Sequence, residues 1–444
     1  MSKKSRKEDL KRKVLQNMGK SKNDLAWKQL FDKHKILEKI STSGHLILTS
    51  SEINVFREAR LMTKFDHKSQ LPKLFSDNNL SILPTSRGGY VIGTFDAFFD
   101  FNKEDDIPIE KIEFPSYLES LNHRDITSEA TAINCAFVSK ILQNFTGEQN
   151  LLPTVSGRMS SSSFDFKIND SQGLFNVSVG NSQIEIDGGY EGDNSLNLIE
   201  AKNYISDDFL VRQLYYPYKL WSNKISKQVR PIFLTYTNGI FHLREYKFEN
   251  PDHYNSLKLI NQKKYTVEDS SFNNETIDEV LRSIQIIKEP EIPFPQADNF
   301  ERIINLCELL KEKGFISKEE ITQNYDFDSR QTDYYSNAGK YLGLLDFVRE
   351  NNQVGCILTK KGNQIFNLSL IDRQIEFVKL ILSHKPFNKT LSISFKNGEI
   401  PSRDEIVEIM KETILYNVNT ESTFKRRAST IIGWINWILS KLED

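Results

Sequence analysis

Asp187, Glu200 and Lys202 lie in the stretch IEIDGGYEGDNSLNLIEAK, residues 184–202, and their types and spacing could hydrolyse a phosphate ester. The stretch reads as two short apolar strands joined by a polar, glycine-containing turn. Asp187 is on the first strand; Glu200 and Lys202 are on the second. Side chains alternate faces along a strand, so Glu200 and Lys202 point the same way, about 6–7 Å apart at the backbone. Folding the hairpin brings Asp187 to them. Two carboxylates offer oxygen ligands to a hard divalent cation, and an ammonium beside them can orient a water or help deprotonate it. That is a working set for metal-assisted phosphodiester hydrolysis. The competing reading is an exposed hairpin with a surface Glu–Lys pair, worth little to stability. Against it stands the context: SLNLIEAK is a buried-type strand ending in two charges, which are costly to bury unless paired or metal-bound.

Asp187 followed by Glu200-Ala201-Lys202 resembles the motif of the PD-(D/E)xK nuclease superfamily. The resemblance implies that Asp187, Glu200 and the Ala201 backbone carbonyl hold Mg²⁺ while Lys202 orients the attacking water. It also implies a glutamine on the helix that follows, here Gln213, with Arg212 beside it, to position the nucleophile or the phosphate. A tyrosine four residues beyond that glutamine, frequent in the superfamily, is replaced here by Pro217. By the same resemblance Glu129 is a further metal-site carboxylate; taken alone, it reads as a solvated acid favoured by a helix N-terminus. Glu185, two residues before Asp187 and on its face, is either another ligand or a surface charge.

The elements that must position these residues are legible around them. SEATAINCAFVSKILQNF reads as an amphipathic helix with Thr127 or Ser128 as N-cap. DDFLVRQLYYPYKLWSNK reads as a helix with Phe209, Leu210, Leu214 and Leu220 on its apolar side. RPIFLTYTNGIFHLREYKF reads as a hairpin turned at Asn238 and Gly239. The expected core is therefore α/β.

The chain of 444 residues has room for two to four domains. Its 58 Lys and Arg balance 60 Asp and Glu for a net charge of −2, so no global basic excess advertises nucleic acid. Any basic surface must be local. The opening KKSRKEDLKRK is one such concentration, either a solvated tail or a non-specific phosphate attractor. No signal-peptide pattern and no apolar run of about 20 residues occurs, so no membrane partner and a cytoplasmic location are expected. Cys135, Cys307 and Cys356 are scattered in apolar patterns without zinc spacing, as reduced core cysteines would be.

Residues 25–105 read as an N-terminal module, with LAWKQLFDKHKILEKI and SSEINVFREARLMTKF as helices and SILP and RGGYVIG as strands. Its basic segment, with Phe65 and Phe75 interleaved, could lay Arg57, Arg60, Lys64, His67 and Lys68 along a DNA groove. Prolines in KEPEIPFPQAD mark a boundary at residues 288–298. Beyond it, three helices and a strand pair turned at Asn351 and Asn352 resemble a winged helix. Its third helix would present Arg330, Gln331, Asp333, Tyr334, Tyr335 and Asn337. RQIEFVKLILSHKPF, PSRDEIVEIMKETI and ESTFKRRASTIIGWINWILSKL read as three more helices. The last opens with Thr423, Lys425, Arg426, Arg427 and Thr430 facing outward, and a basic N-terminal turn suits entry into a major groove.

Taken together, the chain resembles a multidomain type II restriction endonuclease of the PD-(D/E)xK superfamily, with winged-helix-like modules. The expected division is a basic flexible tail (1–24), a DNA-contacting module (25–105), the nuclease core (106–287), a winged-helix-like domain (299–365) and a second helix-turn-helix-like domain (366–444). The resemblance implies Mg²⁺-dependent, sequence-specific cleavage of double-stranded DNA, an at least transient homodimer and a cognate DNA methyltransferase as functional partner. Two other functions compete: a repair or structure-specific nuclease, and a DNA-binding regulator with an inactive nuclease-like core.

Overall fold

Trp27, Leu30 and Phe31 recur at helical spacing and bury one face of Lys22–His34 (α1). Phe65 and Phe75 pack against that face, with Trp27 and Phe75 edge-on at 4.7 Å. These phenylalanines are therefore core residues, and the basic segment between them does not present them to a groove. The computed structural model describes residues 22–101, 107–269 and 271–442. The basic opening KKSRKEDLKRK lies outside the described residues, and residues 22–24, expected in the flexible tail, belong to α1. Strands β1 (His45–Thr49), β2 (Ser81–Pro84) and β3 (Gly89–Gly93) form an antiparallel sheet ordered β1-β3-β2. SSEINVFREARLMTKF is not one helix but two short ones, Ser50–Asn54 and Ala59–Thr63. The first is fixed by a Thr49–Glu52 capping box, which starts a helix where β1 ends.

After β4 (Phe98–Asp100) comes a seven-stranded mixed sheet, the centre of this mixed α/β fold. It is built from β5 (Ile109–Lys111), β6 (Leu152–Ser160), β9 (Gln183–Glu191), β10 (Ser195–Lys202), β12 (Gln228–Thr237), β13 (Ile240–Phe248) and β14 (Leu257–Thr266). Their order is β5-β14-β13-β12-β10-β9-β6, with β10/β12 and β5/β14 parallel. The intervening β7 (Ser163–Asp170) and β8 (Gly173–Gly180) form a separate hairpin. Every position of β10 is buried, as a strand covered on both faces requires. Ile199 and Ala201 face the helix Glu129–Val138 (α2), while Leu196 and Leu198 face Arg212–Ser222 (α3) and the N-terminal module.

Around the central sheet, two segments depart from the helical spacing of their sequences. The first helix ends at Val138, capped by Ser128, and a second runs Ile141–Thr146. Ser139 Oγ donates to the Cys135 carbonyl at 2.7 Å and Lys140 takes φ 64°, which breaks the run. Phe209 and Leu210 are not helical: Asp208–Leu210 (β11) pairs antiparallel with β4, and Phe209 packs on Phe99 and Phe233. Pairing with a distant strand overrides the helical spacing of those apolar residues. The β12–β13 turn is at Asn238 and Gly239 as read, both with positive φ. A Cβ at Gly239 would stand 2.6 Å from Leu370, so this turn is also pressed against the C-terminal region.

That region holds Phe300–Lys313 (α4), Lys318–Asn324 (α5), Ser329–Tyr341 (α6), Leu370–Leu382 (α7), Lys385–Asn397 (α8), Arg403–Lys411 (α9) and Glu421–Leu439 (α10). Strands β15 (Phe315–Ser317), β16 (Leu345–Glu350) and β17 (Gln353–Leu358) form an antiparallel sheet ordered β15-β17-β16. Helix α8 was not read from the Ser- and Thr-rich sequence; Phe387, Thr390, Leu391 and Ser394 are its buried stripe. The proline-rich segment is a strap rather than a loose joint: Phe294 is buried on Phe387 and Tyr341, and Trp434 Nε1 donates to the Ala297 carbonyl at 2.7 Å. One apolar core runs from Phe272 through the strap to Ile438 and spans both expected C-terminal domains. Among the described residues no helix is long and apolar enough to cross a membrane.

Candidate functional site

β9 and β10 pair from Leu196↔Glu191 to Ile199↔Gly188, and there their ladder stops. β10 continues along β12 to Lys202↔Thr235, while β9 stays with β6. At the fork the β6–β9 register shifts: Val155 faces Gly189 and Gly157 faces Ile186, so Asp187 and Gly188 stand opposite the single residue Ser156. A bulge of this kind bends a strand and re-aims its side chains. The strands are close enough that a Cβ at Gly189 would lie 2.8 Å from that of Val155. Asp187 then replaces the next ladder bond with its side chain, Oδ2 accepting the Ala201 N–H at 2.9 Å. The N–H and C=O of a strand residue point to the same neighbour, so the Ala201 carbonyl opens toward the Asp187 side.

Glu200 and Lys202 share the opposite parity to Ala201 and are 8 % and 7 % exposed. Lys202 Nζ donates to Glu200 Oε1 at 2.5 Å and to the Ala201 carbonyl at 3.1 Å. Gln213, in the first turn of α3, donates Nε2 to the same Glu200 oxygen at 2.5 Å. Glu129, at the start of α2, stands 3.9 Å from Lys202 Nζ. Asp187, Ala201, Glu200, Lys202 and Gln213 are thus brought together as read, with Glu129 at the edge. Glu185 is not part of the set: it is exposed and pairs with Arg158 at 3.2 Å.

Here a single buried ammonium is surrounded by several acids. Burial pushes the Glu200 carboxyl up to about 8 against the pull of Lys202, and the Asp187 charge adds to the rise. Burial likewise raises Glu129. Burial opposes the Lys202 ammonium, yet Glu200, Glu129, Tyr204 and Asp187 hold its pKa well above the ordinary lysine value. Asp66 enters from the N-terminal module; burial works to raise it, but Lys64, Lys202, His67 and Arg212 keep it below the usual range. The excess of buried acid over buried base is what a bound cation would relieve.

The donor set fits a hard cation. Asp187, Glu200 and the Ala201 carbonyl supply oxygens of the type Mg²⁺ takes, with room in the usual coordination for water and a phosphate oxygen. Gln213 Oε1 is buried without a hydrogen-bond partner, an acceptor still to be satisfied. Among the described residues no group of three or more His, Cys, Asp or Glu side chains is arranged to hold a metal. Backbone and substrate oxygens would therefore complete the shell.

The residues read as DNA contacts are dispersed, and several are used structurally. Arg60 and Lys64 are exposed on a cleft of about 1710 Å³ between the N-terminal module and helices α5 and α6. Its lining mixes Lys22, Lys28, Lys313 and Lys318 with Asp32, Glu58 and Asp333, so it is not a basic groove. Arg57 is half-buried, Lys68 pairs with exposed Asp100 at 2.5 Å, and His67 is fully buried. Arg330 is exposed at the start of α6, whereas Gln331 completes a capping box with Asp328. Tyr335 is buried and Asp333 pairs with Lys318. On α10, Arg426 is exposed and Lys425 pairs with Asp404 at 3.2 Å. Arg427 turns inward to bond Gln296, and Thr430 is buried on Asp298 at 2.8 Å. Those two do not face outward because the strap passes beneath them.

The sequence reading missed Asp66 and Tyr204. Tyr204 lies two residues beyond the end of β10, at the spacing that separates Glu200 from Lys202, a signal that was available. Nothing in the local sequence around Asp66 marks it.

Residues 24–92 match the family described as Domain of unknown function (DUF6996), residues 93–266 match Domain of unknown function (DUF6997), and residues 302–443 match Domain of unknown function (DUF7226). No curated protein and no solved structure matches the chain.

Proposed function

We propose that the β9–β10 fork is a PD-(D/E)xK-type active site and that the chain is a Mg²⁺-dependent, site-specific endonuclease of double-stranded DNA. The observation that carries this reading is the convergence of Asp187, Glu200, Lys202 and Gln213 where β9 parts from β10. A bound Mg²⁺ would offset charge developing at the scissile phosphate and acidify a bound water. Asp187, Glu200 and the Ala201 carbonyl would hold it. Lys202, kept protonated by its acidic neighbours, donates to the attacking water and steadies its hydroxide-like form. Gln213 locks the Glu200 carboxylate, and its free carbonyl oxygen accepts from the water. Glu129, 3.9 Å from Lys202 Nζ, tunes that ammonium through charge.

The helix order α4, α5, α6 with the β15-β17-β16 sheet supports a winged-helix reading of the C-terminal region. Exposed Arg330 and Arg426 are its DNA contacts, with Arg60 and Lys64 on the N-terminal module. Cutting both strands calls for two such sites, hence an at least transient homodimer, and a cognate methyltransferase protects the host sequence. Incubation of mixed-sequence duplex DNA with the chain and Mg²⁺, followed by sequencing of the ends, tests the reading. Ends bearing 5′-phosphates at one defined sequence are expected. Ends without sequence preference remove the restriction reading, and no cleavage at any Mg²⁺ concentration removes the nuclease.

A further inference from the structure

The segment 203–207, directly after Lys202, is held by polar contacts from three directions. From the start of α2, the Thr127 carbonyl accepts Asn203 Nδ2 at 3.2 Å. From α4, Asn305 accepts the Ile205 N–H at 3.0 Å and donates to the Asn203 carbonyl at 2.9 Å. From the N-terminal module, His67 Nε2 bonds the Tyr204 hydroxyl at 2.9 Å while its Nδ1 meets the Asp208 carbonyl at 2.6 Å. The Tyr204 ring is also edge-on to Tyr325, at 5.3 Å.

Asp326, just past α5, ties these directions together. It is 5 % exposed. Its Oδ2 accepts the Asp207 N–H at 2.6 Å, and its Oδ1 accepts the Ser69 hydroxyl of the N-terminal module at 2.5 Å. Arg302 fastens the same knot, donating to Asp207 Oδ1 at 2.8 Å and to the Asp326 carbonyl at 2.7 Å. Ser69, Asn324 and Asp328 all line the cleft between the two modules. An occupant of that cleft therefore lies against the Ser69–Asp326 bond on either side.

A carboxylate with both oxygens committed to different modules serves stability poorly if stability is all it provides, because desolvating it offsets much of the gain. It serves geometry well. We propose that Asp326 is a positioning residue: by clamping Ser69 to the Asp207 amide, it fixes segment 203–207 and through it sets Lys202 against Glu200. Docking of the N-terminal module on the C-terminal helices is thereby coupled to the catalytic lysine. This consequence for catalysis rests on the nuclease reading; the clamp itself does not.

The test uses the full chain with Asp326→Ala, the milder Ser69→Ala and the conservative Asp326→Glu. Amide hydrogen exchange at Ile205 and Asp207 reads the clamp. The rate at which an amine-acylating reagent modifies Lys202 reads the position of the lysine without any need for activity. Cleavage kinetics read the consequence. In Asp326→Ala, exchange at Asp207 and labelling of Lys202 should each rise roughly tenfold or more, as expected for losing a hydrogen bond to a charged group. kcat should fall by a similar factor with KM unchanged, the signature of an interaction felt only in the transition state. Ser69→Ala should move all three readouts the same way by less, and Asp326→Glu should restore part of the loss. Faster exchange with unchanged Lys202 labelling would overturn the proposal, as would unchanged exchange in both Asp326→Ala and Ser69→Ala. If the wild type binds metal but cuts no DNA, the nuclease reading falls and Lys202 labelling still decides the clamp.

Discussion

The fork between β9 and β10 and the opening turn of α10 both concentrate charge, and they treat it in opposite ways. At the fork, Glu200 and Lys202 are less than a tenth exposed, and the acids outnumber the base. On α10, Arg426 is exposed to solvent and Lys425 answers Asp404 across the surface. A solvated charge costs little and contributes little. A buried set with a carboxyl pushed up to about 8 works against folding, so it persists where function needs it. The contrast ranks the two regions: the fork is where chemistry should be sought, and the turn is where association should be.

The largest effect is expected from disabling the fork. Asp187→Ala or Lys202→Ala should lower Mg²⁺-dependent cleavage by about 10²–10³-fold or more, as loss of a group stabilising the transition state does. Duplex binding in a gel-shift assay should persist, and chelation of Mg²⁺ should silence the wild type. Near wild-type cleavage by Lys202→Ala would take that residue out of the mechanism.

The next effect is on stability and follows from the sign of the Glu200 shift. Its folded-state pKa is raised from 4.5 to about 8, so between those values the unfolded chain has released a proton that the folded chain retains. The stability this group contributes is complete below pH 4.5 and is lost as pH rises through about 8. In metal-free buffer, Glu200→Gln should therefore grow more stable than wild type across that window, by on the order of a few kcal/mol at its upper end. Denaturant titrations from pH 5 to 9 check this. A pH-independent difference would contradict the assignment.

Smaller effects separate neighbours within the basic turn. Arg427→Ala removes the partner of Gln296 and should cost about 1–3 kcal/mol of stability without changing base preference. Arg426→Ala should leave stability within about 0.5 kcal/mol and lower the salt slope of DNA binding by about one. Thermal melts and binding titrations on both variants distinguish the two. Loss of affinity in Arg427→Ala alone would reverse their roles.

Much of the fork was legible because strand alternation and a hairpin suffice to join Asp187, Glu200 and Lys202. Gln213 was expected only through the resemblance, which implies a glutamine on the helix that follows; it lies in the first turn of that helix. What lay hidden depends on contacts between distant segments. Asp208–Leu210 becomes a strand only because Phe98–Asp100 lies beside it. His67 reads as basic until Tyr204 and the Asp208 carbonyl bury it. The proline-rich segment reads as a joint, since proline interrupts helices, but Phe294 and Ala297 make it a packed strap. Arg427 and Thr430 face inward for the same reason.

Whether the buried acids at the fork hold a divalent cation is tested without DNA by Mn²⁺ titration read by paramagnetic resonance. The wild-type chain at pH 8 should bind Mn²⁺ in competition with Mg²⁺, more weakly as pH falls below the Glu200 pKa of about 8. Asp187→Ala and Glu200→Gln should each lose that binding. Wild-type binding that survives both substitutions, or no binding at all, would mean that the fork is not the cation site.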